Sequence, residues 1–238
     1  DLLWEIDRQP NFDLSLLVTA MHLKSEHGMT RTEIERDGFH IAAQVETDVE
    51  DGELVSMSTF VGRAMVGIAE AIDRQAPDIL LLLGDRAEQL SAAVAGAIQN
   101  VTIAHLCGGT NSGSIDGSFR HAISKFAHYH LPASQRHADR LIQLGEQPET
   151  IHVVGLPGGH LGKHVTHTPE GIRNHYSLPC GKPYLLVLQH PVTHSHKDAE
   201  YQIRETLDAV VEMGLPTLLA NPNGDPGGTE ILDIITSY

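Results

Sequence analysis

Apolar and polar positions along the 238-residue chain alternate between two rhythms. Short apolar runs closed by glycine, histidine or proline read as strands, and stretches with apolar residues three and four apart read as helices. Leu2, Leu3 and Ile6 have the spacing of the end of an amphipathic helix. Asp13–Thr19 predicts a strand, with Met21-His22-Leu23 as the loop at its end. A helix start is predicted at Thr30–Glu33 and a short strand at Gly38–Ile41. Leu54–Ile72 reads as a long helix with Met57, Phe60, Val61, Met65, Ile68 and Ile72 on one face. Ile79–Leu83, an unbroken apolar run ending at Gly84, predicts a strand buried in a parallel sheet. A helix over Glu88–Ile98, a strand over Val101–His105 and a helix opened by Asp116 follow. Tyr129–Ala133 is the next strand, Ser134 caps a helix over Gln135–Leu144, and Ile151–Val154 is a further strand.

The passage Gly158–Lys182 changes character, being rich in His, Gly and Pro, with a short amphipathic piece around Glu170–Tyr176. Alternation then resumes: strands over Tyr184–Gln189 and Pro216–Ala220, helices over Ala199–Met213 and from about Gly228 onward. Strand–helix alternation with short turns predicts an α/β fold of doubly wound, Rossmann-like, mostly parallel sheets. Residues 1–165 are expected to form one such domain and 182–238 the start of a second, incomplete one.

Open α/β sheets take ligands at the carboxyl ends of their strands. Gly84, Asp85 and Arg86 stand at one such end, and His105 closes the next strand. The loop Cys107-Gly108-Gly109-Thr110-Asn111-Ser112-Gly113 follows, and Asp116, Arg120 and His121 open the helix after it. So many ionisable residues on adjoining loops predict a binding site. Gly108 and Gly109 would let backbone approach a ligand closely, and Arg86, Arg120 and His121 are candidate partners for a diphosphate or carboxylate. Asp85 can serve either as a reacting carboxylate or as a cap of the following helix, and Asp116 as a reacting carboxylate, an N-cap, or both. In the second domain, His190 follows one strand, and Asn223 and Asp225 follow the next. His128 and His130 are expected to pack and hydrogen-bond rather than to react.

A formal net charge of −15 provides no basic stripe for nucleic acid. No apolar run approaches the ~18 residues of a membrane helix and no signal peptide opens the chain, so no membrane partner is expected. Two cysteines, Cys107 and Cys180, suit a reducing cytoplasm. Sixteen histidines are scattered without HExxH or paired CxxC spacing, so no metal site is expected.

The stretches GDR (84–86), AHLCGG (104–109), GSIDGSFRHAISKFAHYH (113–130), QHPVT (189–193) and PNGDPGG (222–228), with VTAMHL (18–23) and HGMTRTEIERDGF (27–39), resemble the hydrolysing UDP-N-acetylglucosamine 2-epimerases of sialic acid biosynthesis. The resemblance runs in order through nearly the whole chain. It implies a two-domain glycosyltransferase-B-like fold with a nucleotide sugar between the domains, no cofactor, and a homodimer or homotetramer. The implied reaction converts UDP-GlcNAc to UDP and N-acetylmannosamine through 2-acetamidoglucal. Relative to the family, the first strand with its arginine-bearing loop and roughly the last third are expected to be missing. By the same resemblance Asp85 and Asp116 match catalytic carboxylates, and His190 is expected at the substrate or its phosphates. A family glutamate before the Gly-Gly pair is replaced by Cys107, a second after it by Thr110, and an aspartate after Asp116 by Gly117. A thiol in acidic surroundings stays protonated and is a poor carboxylate substitute. Either His105 or His190 covers the missing role, or other readings stay open beside the hydrolysing epimerase: a different sugar, the non-hydrolysing 2-epimerase, a catalytically impaired nucleotide-sugar-binding homologue, and a glycosyltransferase on the same fold.

Overall fold

A computed structural model describes residues 2–47, 54–158 and 167–238, and the chain divides into two compact units, Asp1–Val49 with Ser58–Leu161 and Glu50–Met57 with Gly162–Tyr238. Part of the passage expected between domains, 159–166, lies outside the described residues.

The first unit opens with α1 (Leu2–Asp7), β1 (Leu16–Thr19), α2 (Arg31–Arg36) and β2 (Ile41–Val45). Met21–Leu23, expected as a loop, belongs instead to a 3-10 turn over Ala20–Leu23. The strand expected at Gly38–Ile41 starts only at Ile41, because Gly38 adopts φ 88° as the turn out of α2. Then come α3 (Leu54–Gln75), β3 (Ile79–Leu83), α4 (Ala87–Ile98), β4 (Thr102–Leu106), α5 (Ile115–Phe126), β5 (Tyr129–Leu131) and α6 (Gln135–Gln143). β1 pairs with β2, and β3, β4 and β5 form a sheet in that order, every pair parallel. Ile151 adds one parallel bridge beside His130, where a strand over Ile151–Val154 was expected.

One core holds this unit. Ala64, Ile68, Ala71 and Ile72 of α3 and Ala92, Ala93 and Ala95 of α4 meet Val45, Leu82, Ile103 and Ile123. The apolar run of β3 is less enclosed than its composition predicts. Leu82 is buried, but Ile79, Leu81 and Leu83 are 52%, 37% and 51% exposed. Period-2 alternation puts those three on the face opposite the core, and no described strand pairs with the other edge of β3. One helix bears on the membrane expectation. Val55–Gln75 of α3 is long and apolar enough to cross a bilayer by length and composition, because serine, threonine and glycine break its apolar run without making it polar on average. Its core-facing residues are already packed against β2, β3 and β4, and Arg74 on it pairs with Glu70 at 3.7 Å.

The second unit contains α7 (Pro169–His175), β6 (Leu185–Leu188), α8 (Ala199–Met213), β7 (Thr217–Ala220) and α9 (Gly228–Ser237). β6 and β7 are parallel, and Ala199, Ile203 and Leu207 of α8 pack on Ile231 of α9. Proline at the start of α7 and Thr168, whose hydroxyl accepts the Gly171 amide, explain where that short helix begins.

Candidate active site

β3 and β4 run parallel in a register that sets Leu83 beside Leu106, so the residues after both strands emerge together. Gly84 turns at φ 76° and donates its amide to Leu106 O at 3.0 Å, which swings Asp85 off the sheet. The Asp85 carboxylate pairs with the Arg120 guanidinium of α5, 35 residues on, and both side chains are mostly buried, 21% and 13% exposed. This partner answers the question left open by the sequence: the N-cap of α4 is Arg86, with no side-chain cap bond, and Asp85 lies outside the cap position. Arg120 Nη1 also donates to Cys107 O at 3.2 Å and so holds the glycine loop beside the carboxylate.

Cys107 itself has φ 61°, in the left-handed region, and its amide donates to Leu131 O at 3.0 Å. Its thiol is pushed up from the ordinary value by burial, so it stays protonated, though for a different reason than acidic surroundings. Gly109 turns at φ 78°, and a Cβ there would lie 2.3 Å from His137 O. Glycine is therefore demanded by the protein's own backbone, whatever a ligand requires. Arg140 of α6, which carried no sequence signal, donates to Gly109 O and pins the same loop from the other side.

Asp116 is not the N-cap of α5. Ser114 is: its hydroxyl accepts the Asp116 amide at 3.3 Å and donates to the Asp116 carboxylate at 2.6 Å. Two residues fit the cap rule here, and the one with extended backbone takes the place. Arg86 Nε lies 3.5 Å from Glu88 Oε1, two residues on along the chain. His121 Nε2 stands 3.4 Å from Asn111 Oδ1, and desolvation, then Arg140 and Arg120, lower its proton affinity.

His105 departs furthest from its expected place. Its ring is fully buried, Nε2 lies 2.8 Å from Gly84 O and Nδ1 lies 3.0 Å from Ser124 Oγ, so neither nitrogen is left for a ligand. Burial lowers its pKa to about 4, and it is a neutral imidazole near pH 7. The register explains the inward aim: His105 sits beside Leu82 on one side and His130 on the other, on the covered face. His130 Nε2 in turn lies 3.3 Å from Glu146, and His128 Nδ1 accepts the Ile103 amide at 3.1 Å. Both do the packing and hydrogen bonding their positions foretold.

In the second unit, the parallel pairing of β6 and β7 brings their trailing loops together. His190 Nδ1 accepts the Asn223 amide at 3.1 Å, which leaves Nε2 as the protonated nitrogen of the neutral ring. Asn223 Nδ2 donates to Asp225 at 2.7 Å. The three residues named from sequence form one connected turn. Among the described residues, no group of three His, Cys, Asp or Glu side chains is placed to hold a metal ion.

The family model for UDP-N-acetylglucosamine 2-epimerase matches residues 4–238. A Legionella pneumophila protein named UDP-N,N'-diacetylbacillosamine 2-epimerase (hydrolyzing) is 35% identical, with 100% of this chain and 63% of that protein covered. A Neisseria meningitidis protein named UDP-N-acetylglucosamine 2-epimerase is 31% identical, covering 100% and 62% respectively. The crystal structure of a Neisseria meningitidis UDP-GlcNAc 2-epimerase bound to UDP-GlcNAc shares the fold, with TM-score 0.78, 12% identity, and 99% of this chain against 65% of that one covered. The chain thus spans less than two thirds of the length of each. Its α/β architecture is the glycosyltransferase-B-like one expected from the sequence.

Proposed function

The chain belongs to the UDP-N-acetylglucosamine 2-epimerase family, and on that premise we propose that the full-length protein catalyses hydrolysing 2-epimerisation of a UDP-linked 2-acetamido sugar, with UDP-GlcNAc as the reference substrate. The observation that carries the reading is the Asp85 carboxylate, held at a strand end by Arg120 beside a glycine loop. In the first half-reaction a carboxylate removes the proton at C2, the C1–O bond breaks, and UDP departs to leave 2-acetamidoglucal. In the second, water adds at C1 and a proton returns to C2 on the opposite face, giving the 2-epimer as a free sugar. Asp85 is the C2 base: the adjoining guanidinium stabilises its charged form, the form that accepts a proton. Asp116, bonded to Ser114, is the second carboxylate. Gly84, Arg86, Gly108, Gly109, Arg120 and His121 form the sugar and diphosphate surroundings of the first unit, and His190, Asn223 and Asp225 are the candidate nucleotide contacts of the second. Two free thiols, Cys107 and Cys180, suit the reducing cytoplasm in which such an enzyme would act as a homodimer or homotetramer.

The hydrolysing relative named for a diacetylated sugar supports the hydrolytic outcome and widens the sugar to be tested. Cys107 favours a second reading, a nucleotide-sugar-binding homologue of reduced activity. Incubation with UDP-GlcNAc, GDP-GlcNAc and UDP-N,N'-diacetylbacillosamine in deuterated water, followed by NMR, separates the possibilities. Free UDP with a C2-deuterated free epimer is the expected outcome. A nucleotide-bound epimer means the non-hydrolysing reaction, and binding without turnover means the second reading. Asp85→Asn is expected to abolish turnover while leaving UDP affinity within about threefold, since the carboxylate acts on chemistry at C2. Weakened UDP binding with turnover intact would make Asp85 a binding residue instead.

A further inference from the structure

Behind the Asp85–Arg120 pair lies a buried chain of polar groups that the reaction itself does not use. Gly84 O accepts only, so the 2.8 Å contact requires His105 Nε2 to carry the proton. The neutral ring then has a bare Nδ1, and at 3.0 Å this accepts the hydroxyl proton of Ser124. Ser124 Oγ also lies 3.1 Å from Arg120 O, one turn back along α5, so its single hydroxyl proton is shared between that carbonyl and the ring nitrogen in a three-centre bond. Both His105 and Ser124 are completely buried. Tracing the contacts gives a closed ring: Gly84 is bonded to Asp85, Asp85 pairs with Arg120, Arg120 O meets Ser124, Ser124 meets His105, and His105 returns to Gly84.

We infer that His105 and Ser124 are positioning residues for the reaction, a buried brace that fixes both ends of the Asp85–Arg120 pair from behind. The inference rests on the reading of Asp85 as the reacting carboxylate. A carboxylate on a glycine turn can swing by an ångström when its support is lost, and displacement of that size costs a reaction on the order of a hundredfold. The brace also accounts for Gly108. A Cβ at that position would come 3.0 Å from Ser124 Oγ and 3.1 Å from His105 Nδ1, so the glycine makes room for the brace.

Three variants of the full-length protein test this. Ser124→Ala removes the hydroxyl, His105→Asn keeps an amide at the Nδ1 position and loses the Gly84 tie, and His105→Gln keeps the Gly84 tie. Each is expected to lower kcat about ten- to a hundredfold with KM within about twofold. His105→Gln combined with Ser124→Ala is expected to be no worse than the weaker single variant, because one brace is broken only once. Melting temperature is recorded alongside. Unchanged kcat in a folded Ser124→Ala protein overturns the inference, as do losses that add in the double variant. A second readout does not depend on turnover: the ¹⁵N signals of the Arg120 guanidinium, restrained in the wild type, should average by rotation in Ser124→Ala. A wild type inactive on every nucleotide sugar defeats the functional reading, while the Arg120 signals still decide the brace; signals identical in wild type and variant overturn it.

Discussion

At Cys107 the family comparison and the local geometry meet. The residue already occupies left-handed backbone, with φ 61°. Glutamate pays the same ~1–2 kcal/mol steric cost there as cysteine does, so replacement adds no backbone strain. The chain around it is held by Leu131 through the Cys107 amide and by Arg120 through its carbonyl. Arg120 would also meet an introduced carboxylate with a partner, which lessens the penalty of placing a charge in a half-buried position. Cys107→Glu is therefore expected to raise hydrolytic turnover, and general acid–base catalysis sets a gain of roughly 10²–10⁴-fold. Assay of product release beside thermal melting checks it. A lower melting temperature with no added turnover means that Cys107 is a small apolar filler and that the chemistry runs without a carboxylate there. Asp85 and Arg120 were recognisable as residue types from their place after a strand and near a helix start. Their pairing was not, because it depends on how α5 lies across the end of β3.

Elements show the same division. α5 is legible from its periodicity, yet its first turn is organised by Ser114, one residue before the helix, and not by Asp116. Ser114 both caps the helix and fixes a candidate reacting carboxylate, so Ser114→Ala has two consequences. Loss of the cap is expected to lower stability by about 1 kcal/mol, measured by urea unfolding. Release of Asp116 is expected to lower turnover further than that stability change explains; equal turnover would place Asp116 outside the reaction. β3 teaches the complementary lesson. Five consecutive apolar residues identify a strand, and neither their composition nor their period says that three of them stand half exposed.

For the whole molecule, buried histidines set the response to acid. His105 titrates at about 4 in the fold and near 6.5 when unfolded, and burial also lowers His121, His130 and His137. Above pH 6.5 both states are neutral and these rings leave stability unchanged with pH. Below it the unfolded chain binds protons that the folded one refuses, so stability falls as pH drops from about 6.5 towards 4. His105 alone accounts for about 3 kcal/mol across that window. Urea midpoints between pH 7.5 and 5 are expected to decline in the wild type and to decline less steeply in His105→Gln. Parallel slopes would mean that other groups carry the acid sensitivity. The formal charge of −15 acts over the same range by relaxing self-repulsion as carboxylates protonate, but it is common to both proteins and cancels in the comparison.

Sequence by itself determined the order of strands and helices, the α/β class, the strand ends that carry the candidate site and the family, because hydrophobic period, turn residues and motif order are local properties of the chain. Helix Ala199–Met213 could be read to the residue. Tertiary structure alone decided what those residues do to one another. His105 appeared as a strand-end residue facing a ligand, yet strand register sets it beside Leu82 and His130 and turns it inward. Arg140, Ser124 and His137 reach the glycine loop or its support from α5 and α6, elements that sequence placed correctly without showing which face they would turn. The physical reason is one of range. A period constrains neighbours three or four positions apart, whereas the Asp85–Arg120 pair and the two contacts of the His105 ring join residues 19 to 35 positions apart, whose meeting is fixed only when sheet and helix close on a shared core.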